Sequence, residues 1–202
     1  LIALAVLLSV QVADAQTKSP DAAKKAVAAA EAAAENPKKA AKVATWVKLA
    51  SSYMDAYNAP AGSAWVGASK QELQLLMGGQ QPLAVENVEL GGEALVKETY
   101  ADKDFYFNGG GQLVLIDVTK PVVENALAKA IDAYKKAYEV DVKKSKIKDI
   151  TGGLEIVARK YMDEAMNAYT FGDLAKASEL FEAAADASAI EPLAKNDTTA
   201  LY

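Results

Sequence analysis

The side chains best equipped for chemistry in this sequence are carboxylates in close pairs. Asp102 and Asp104 stand two apart, Glu86 and Glu89 three apart, and Asp163 adjoins Glu164. Paired carboxylates serve glycoside hydrolysis, and hard divalent cations take oxygen ligands of this kind. None of these pairs belongs to a calcium loop with alternating oxygen ligands and a closing Glu, and a solvated acidic surface carries the same pattern. The 202 residues include no His and no Cys. That composition excludes a Ser-His-Asp relay, a thiolate nucleophile and metals held by imidazole or thiolate. Ser63 and Ser69 lack both a Ser-x-x-Lys spacing and a His to act as base. Backbone N–H groups of Asn108-Gly109-Gly110-Gly111-Gln112 would suit a phosphate, but no Gly-Lys-Ser/Thr follows and no helix starts there, so a β-turn is expected. The sequence points to no catalytic residue, no metal and no cofactor, and a non-catalytic protein is expected.

Net charge is −5 with a pI near 4.9, which gives nucleic acid nothing to bind. Lys143, Lys144, Lys146 and Lys148 form one local basic cluster, read as a solvated loop near a helix end. Leu1 to Val10 is an apolar run that continues through Gln11 and Val12 to Ala13-Asp14-Ala15, the pattern of a secretory signal cleaved after Ala15. That run is shorter than the roughly twenty residues a membrane span needs, and no later apolar stretch approaches that length. Neither an initiator Met nor a basic n-region precedes it, so the sequence is expected to start inside the signal. Export without disulfides points to a bacterial periplasm.

Three composition zones must position whatever the chain does. Residues 21–57 read as helical, with Ser19-Pro20 as a start signal and Asn36-Pro37 as a break. Residues 58–120 hold nine of the twelve Gly. Ser69 to Glu72 is a capping box, Gly91-Gly92 separates two strands, and a second, looser hairpin surrounds residues 108–111. This zone is expected to be a small α+β insert with about four strands. From Pro121 the pattern is helical again, over 122–140, from about 146 to 171 and over 174–189. Gly152-Gly153 suggests a kink or a late start in the middle one. Ala fills 42 positions, many of them where helices would cross closely.

Tyr161, Ala165, Phe171-Gly172-Asp173-Leu174, Ala177, Phe181, Ala184 and a late Pro192 resemble a tetratricopeptide repeat. Trp46, Leu49, Ala50 and Tyr53 resemble the first helix of another copy, and Ala130, Tyr134 and Ala137 its second helix. The chain also has the look of secreted tetratricopeptide-repeat proteins of Bacteroidota-type bacteria. The resemblance implies a mainly α solenoid of antiparallel helix hairpins, with the α+β insert at the elbow of the first repeat. The expected organisation is a signal over 1–15 and an N-terminal helix plus the first repeat helix over 16–57. The insert follows at 58–120, the second helix of repeat 1 at 121–145, repeat 2 at 146–192 and the start of a further repeat at 193–202.

Arrays of this family bind extended peptides or helices along the concave face of each repeat's first helix. The resemblance, with helical spacing, puts Ala44, Val47, Ser51 and Met54 there from the first repeat, and Arg159, Met162, Met166 and Tyr169 from the second. Such a surface suits an apolar or helical protein partner. The Lys and Asn clamp for C-terminal carboxylates is missing from these positions. The function implied is a scaffold for protein–protein interaction in the cell envelope, its oligomeric state open. A different reading makes the insert a glycan or peptidoglycan-fragment module, with Phe105, Tyr106 and Phe107 as a stacking platform. A third is a hydrolase working with carboxylates alone.

Overall fold

The structure is a computed structural model that describes residues 17–194. The expected export signal lies outside them, as does most of the expected further repeat. In chain order the elements are α1 (Pro20–Glu35), α2 (Pro37–Ala40), α3 (Val43–Asn58), α4 (Lys70–Leu76), β1 (Ala84–Leu90), β2 (Glu93–Thr99), β3 (Lys103–Phe107), β4 (Leu113–Val118), α5 (Ala126–Val140), α6 (Ile147–Thr170) and α7 (Leu174–Ser188).

Short polar side chains cap the start of α1, α2, α4 and α7. The Ser19 hydroxyl accepts from the Ala22 amide, and the Asn36 side chain accepts from the amides of Lys38 and Lys39. A break at Ala41-Lys42 then separates the single turn of α2 from α3, where the spacing predicts one continuous helix. Trp46 is spent on that break: its indole N–H donates to the Ala40 carbonyl at 2.7 Å. Ser69 and Glu72 form the capping box of α4, and the Asp173 side chain caps α7 by accepting from the Lys176 amide. Between α5 and α6 the buried Asp141 carboxylate accepts from the Ser145 amide and hydroxyl and from the Lys146 amide, at 2.7–2.9 Å.

The long helices pack in sequence, α1 on α3, α3 on α5, α5 on α6 and α6 on α7. Their shared core includes Val27, Leu49, Tyr53, Leu127, Tyr134 and Leu154. Gly153 neither interrupts α6 nor delays its start, because α6 begins at Ile147 and continues through it to Thr170. A Cβ there would lie 2.1 Å from the Tyr134 ring, so glycine is what lets α5 and α6 approach. Buried alanines, Ala50, Ala130, Ala137 and Ala165 among them, allow the same closeness elsewhere.

The strands form one antiparallel sheet in the order β1-β2-β3-β4, with α4 on one face. Leu73 of α4 packs with Tyr100, Phe105, Phe107 and Leu113 in a second core separate from the helical one. Gly91 at the β1–β2 turn touches the end of α6: its Cβ position lies 2.6 Å from the Thr170 carbonyl oxygen.

These features correct the expected fold class. The chain is not a mainly α solenoid of helix hairpins carrying a small insert. It is an α+β structure in which a complete four-stranded sheet with its own core stands beside the packed helices. The physical reason lies in residues 59–125, which bury enough aromatic surface to form a second packed body. The helical side departs as well. α1 docks along α3, where Tyr53 donates to Glu31 and Lys18 pairs with Asp55, and α7 packs on the long α6.

Candidate interaction surface

Helical spacing puts Arg159, Met162, Met166 and Tyr169 in one row along α6, and that row faces outward. Arg159 is exposed, Met162 half-buried, and Met166 and Tyr169 keep 50% and 59% of their surface in solvent. Leu174, just past the α6–α7 turn, is exposed as well. A helix places residues three and four apart on the same face, so the row is continuous. It ends where α6 meets the sheet at Thr170 and Phe171.

The α3 half of the expected surface does not join it. Met54 is buried in the helical core, Val47 packs against that core, and Ser51 is half-buried. Ala44 alone of that set is exposed. With α1 packed along α3, the first-repeat residues contribute to folding. The sequence shows α1 as an amphipathic alanine helix, but nothing in its pattern says which neighbour it covers.

One polar contact ties α3 to α6. Tyr57 donates its hydroxyl proton to Glu164 Oε1 at 2.6 Å. Burial, followed by the Glu164 carboxylate, pushes the Tyr57 hydroxyl well above the ordinary tyrosine range. Tyr53, held by burial and by its bond to Glu31, is pushed up to about 12. Both hydroxyls therefore stay protonated at neutral pH, and both act as donors that fix neighbouring helices.

The carboxylate pairs suggested by spacing do not converge. Asp163 and Glu164 are consecutive in a helix and point in different directions, and Glu164 is held by Tyr57. Glu86 and Glu89 lie on opposite faces of β1. Asp102 accepts from Lys103 at 3.1 Å, while Asp104 pairs with Lys97 at 2.8 Å. The strand register brings together a pair that spacing alone did not suggest, Asp104 directly across from Asp117. Asp104 is buried, and its Oδ1 has no protein partner among the described residues. Lys97 compensates it, and that bond raises the Lys97 pKa above the usual lysine value. Alternation along the strands would have shown Lys97 and Asp104 sharing a face, had the register been known.

Phe105 and Phe107 are buried against α4, so the three consecutive aromatics form no open stacking platform. Tyr106 alone of them is partly exposed. The glycine run at 109–111 forms a turn in which the Asn108 side chain accepts from the amides of Gly110 and Gln112. A shallow depression of about 520 Å³ beside α4 is lined by Gln71, Gln74, Leu75, Gly78 and Gly79 and has no charged group in its wall. Two of the four lysines of the basic cluster are committed to local structure. Lys144 stacks over the Tyr138 ring at 3.7 Å and Lys146 pairs with Asp149.

Among the described residues, no group of three or more carboxylates is placed to hold a metal ion. Among them too, no helix is long and apolar enough to cross a membrane. Comparison of the chain with family models, with curated protein sequences and with solved structures finds no match in any of the three.

Proposed function

We propose that this chain is an exported, non-catalytic interaction module of a bacterial cell envelope, with the outer face of α6 as its docking surface for a protein or peptide partner. The observation that carries this reading is the row formed by Arg159, Met162, Met166 and Tyr169, where large apolar side chains lie open at helical spacing. Large exposed apolar groups in one row are costly to leave in water and are typical of docking sites. Met adapts its shape to a partner, Tyr adds a rigid ring with a polar end, and Arg159 supplies a charged rim. Such a row suits the apolar stripe of an amphipathic helix or an apolar patch on a folded partner. The export part of the reading rests on the apolar start and the Ala-x-Ala site at Ala13 to Ala15.

Affinity capture with the full chain from envelope extracts, followed by quantitative mass spectrometry, tests the reading. The double substitution Met166→Glu and Tyr169→Glu falls on exposed positions and leaves the core untouched. Proteins captured by the wild type are expected to be lost with this variant and kept with Lys176→Glu, an exposed change on α7. Identical capture by all three chains would refute the α6 surface.

A further inference from the structure

The sheet leaves one edge open in a form that proteins usually protect. β1 lies at the end of the strand order and, among the described residues, pairs with β2 alone, in unbroken register from Ala84↔Thr99 to Leu90↔Glu93. The Gly91-Gly92 turn has φ of +61° and +80°, and in a two-residue loop of this kind the flanking pair, here Leu90↔Glu93, is the hydrogen-bonded one. Alternation from that pair directs the backbone groups of Ala84, Glu86, Val88 and Leu90 to β2. The N–H and C=O groups of Val85, Asn87 and Glu89 therefore point away from the sheet. Exposed edges are normally blunted by charged side chains, most often Lys, by Pro, by a bulge or by a covering segment, and here the charges are Glu86 and Glu89 alone. β1 contains no Lys and no Pro, and it is exposed on both faces from Ala84 to Asn87.

The charge around this edge says what fits it. Glu89 and Glu93 make no ion pair among the described residues, and Glu86 lies across from Lys97 and acts on it only at longer range, because the Lys97 ammonium is bonded to Asp104; Lys70 and Lys103 in the same sheet body are likewise paired with carboxylates. A second copy of β1 would gather four glutamates at one seam of an already acidic chain, which argues against self-pairing. We propose that β1 is a strand-addition site for an extended, basic segment of a partner protein. Laid antiparallel, that segment would set a basic residue against Glu89, an apolar one against Val88, a polar one against Asn87, a basic one against Glu86 and an apolar one against Val85. Its backbone would take up the outward groups of Val85, Asn87 and Glu89, and its two cations would neutralise the edge. The inference rests on the reading of the chain as an interaction module, but it uses a surface distinct from the α6 row.

Fluorescence anisotropy of the full chain with labelled heptapeptides tests it. The probe is Ser-Lys-Val-Thr-Lys-Val-Ser. Its comparators are the same peptide with Glu for Lys and a version N-methylated at alternate amides. The lysine peptide is expected to bind saturably, and more weakly as salt rises. The glutamate and N-methyl peptides are expected to bind at least about tenfold more weakly. Asn87→Pro removes one outward N–H that β2 does not use, so it keeps the fold and weakens the lysine peptide to a similar degree. Should that variant misfold by circular dichroism, Glu86→Lys with Glu89→Lys takes its place and is expected to reverse the peptide preference. No binding of the lysine peptide overturns the proposal, as does equal binding of the glutamate peptide or full binding by a folded Asn87→Pro chain. Self-association of the wild type that Asn87→Pro abolishes would assign the edge to a second copy and equally overturn it. Peptide binding that survives Met166→Glu with Tyr169→Glu keeps this proposal separate from the fate of the α6 surface.

Discussion

Asp141 shows how one side chain can organise a helix junction. Burial alone would raise its pKa. The amides of Lys146 and Ser145 and the Ser145 hydroxyl outweigh that and hold the carboxyl below the ordinary aspartate value. A pKa lowered in the native state contributes stability that is present above the unfolded value, about 4. That contribution is lost as pH falls through the lower native value. Asp141→Asn is therefore expected to be less stable than the wild type at pH 7 and to converge with it in acid, as read by thermal melts across that range. A gap between the two chains that stays constant down to pH 2 would contradict this role. Residues 141–145 fall between the two helices that the sequence predicts over 122–140 and from about 146, and there Asp141 accepts while Ser145 donates. Which of two neighbouring polar side chains caps depends on backbone direction at the junction, and composition does not carry that. The expected docking residues divide for a similar reason. Helical spacing groups Met54 with Val47 as well as it groups Met166 with Tyr169, but only packing decides which group is covered.

At the level of elements, the two glycines of α6 separate propensity from packing. Gly152 has nothing within 4 Å of a would-be Cβ, whereas at Gly153 the Tyr134 ring stands in that space. Gly152→Ala is expected to stabilise the chain by about 1 kcal/mol, the usual helix gain over glycine. Gly153→Ala meets the ring, and overpacking of this kind costs about 1–3 kcal/mol. Adding Tyr134→Ala should remove most of that collision, so the two changes are expected to be strongly non-additive in urea denaturation. Additive behaviour would mean that the helices do not meet at this point. Local punctuation was the most legible layer of the sequence. The capping box at Ser69, the Gly91-Gly92 turn and the glycine turn after Asn108 all carry their geometry in neighbouring residues. The break between α2 and α3 did not show, because it depends on Trp46 reaching back to the Ala40 carbonyl. Nor did the start of α5 at Ala126, four residues later than the periodicity predicts, since Asn125 takes a left-handed conformation just before it.

For the molecule as a whole, the main departure from expectation is the standing of the sheet. Its strands were readable from their turns, but its second core was not, because Phe105, Phe107 and Leu113 meet Leu73 only after the strands pair. Helix patterns resembling a repeat therefore said little about the architecture, which the sheet changes in kind. Gly91 links the two bodies, and it is constrained both by a positive φ and by the Thr170 carbonyl. Gly92 has a positive φ but open space around it. Both alanine variants carry the left-handed strain of about 1 kcal/mol, and Gly91→Ala is expected to cost about 1–3 kcal/mol more. Equal losses in urea denaturation would mean that the turn does not rest on α6. The central claim concerns the open row on α6, and site-specific photo-crosslinking in envelope preparations addresses it most directly. A benzophenone side chain at position 166 or 169 is expected to give a discrete crosslinked protein, and one at the exposed position 176 to give none. Positions 166 and 169 yielding no product, or the same products as position 176, would contradict the account.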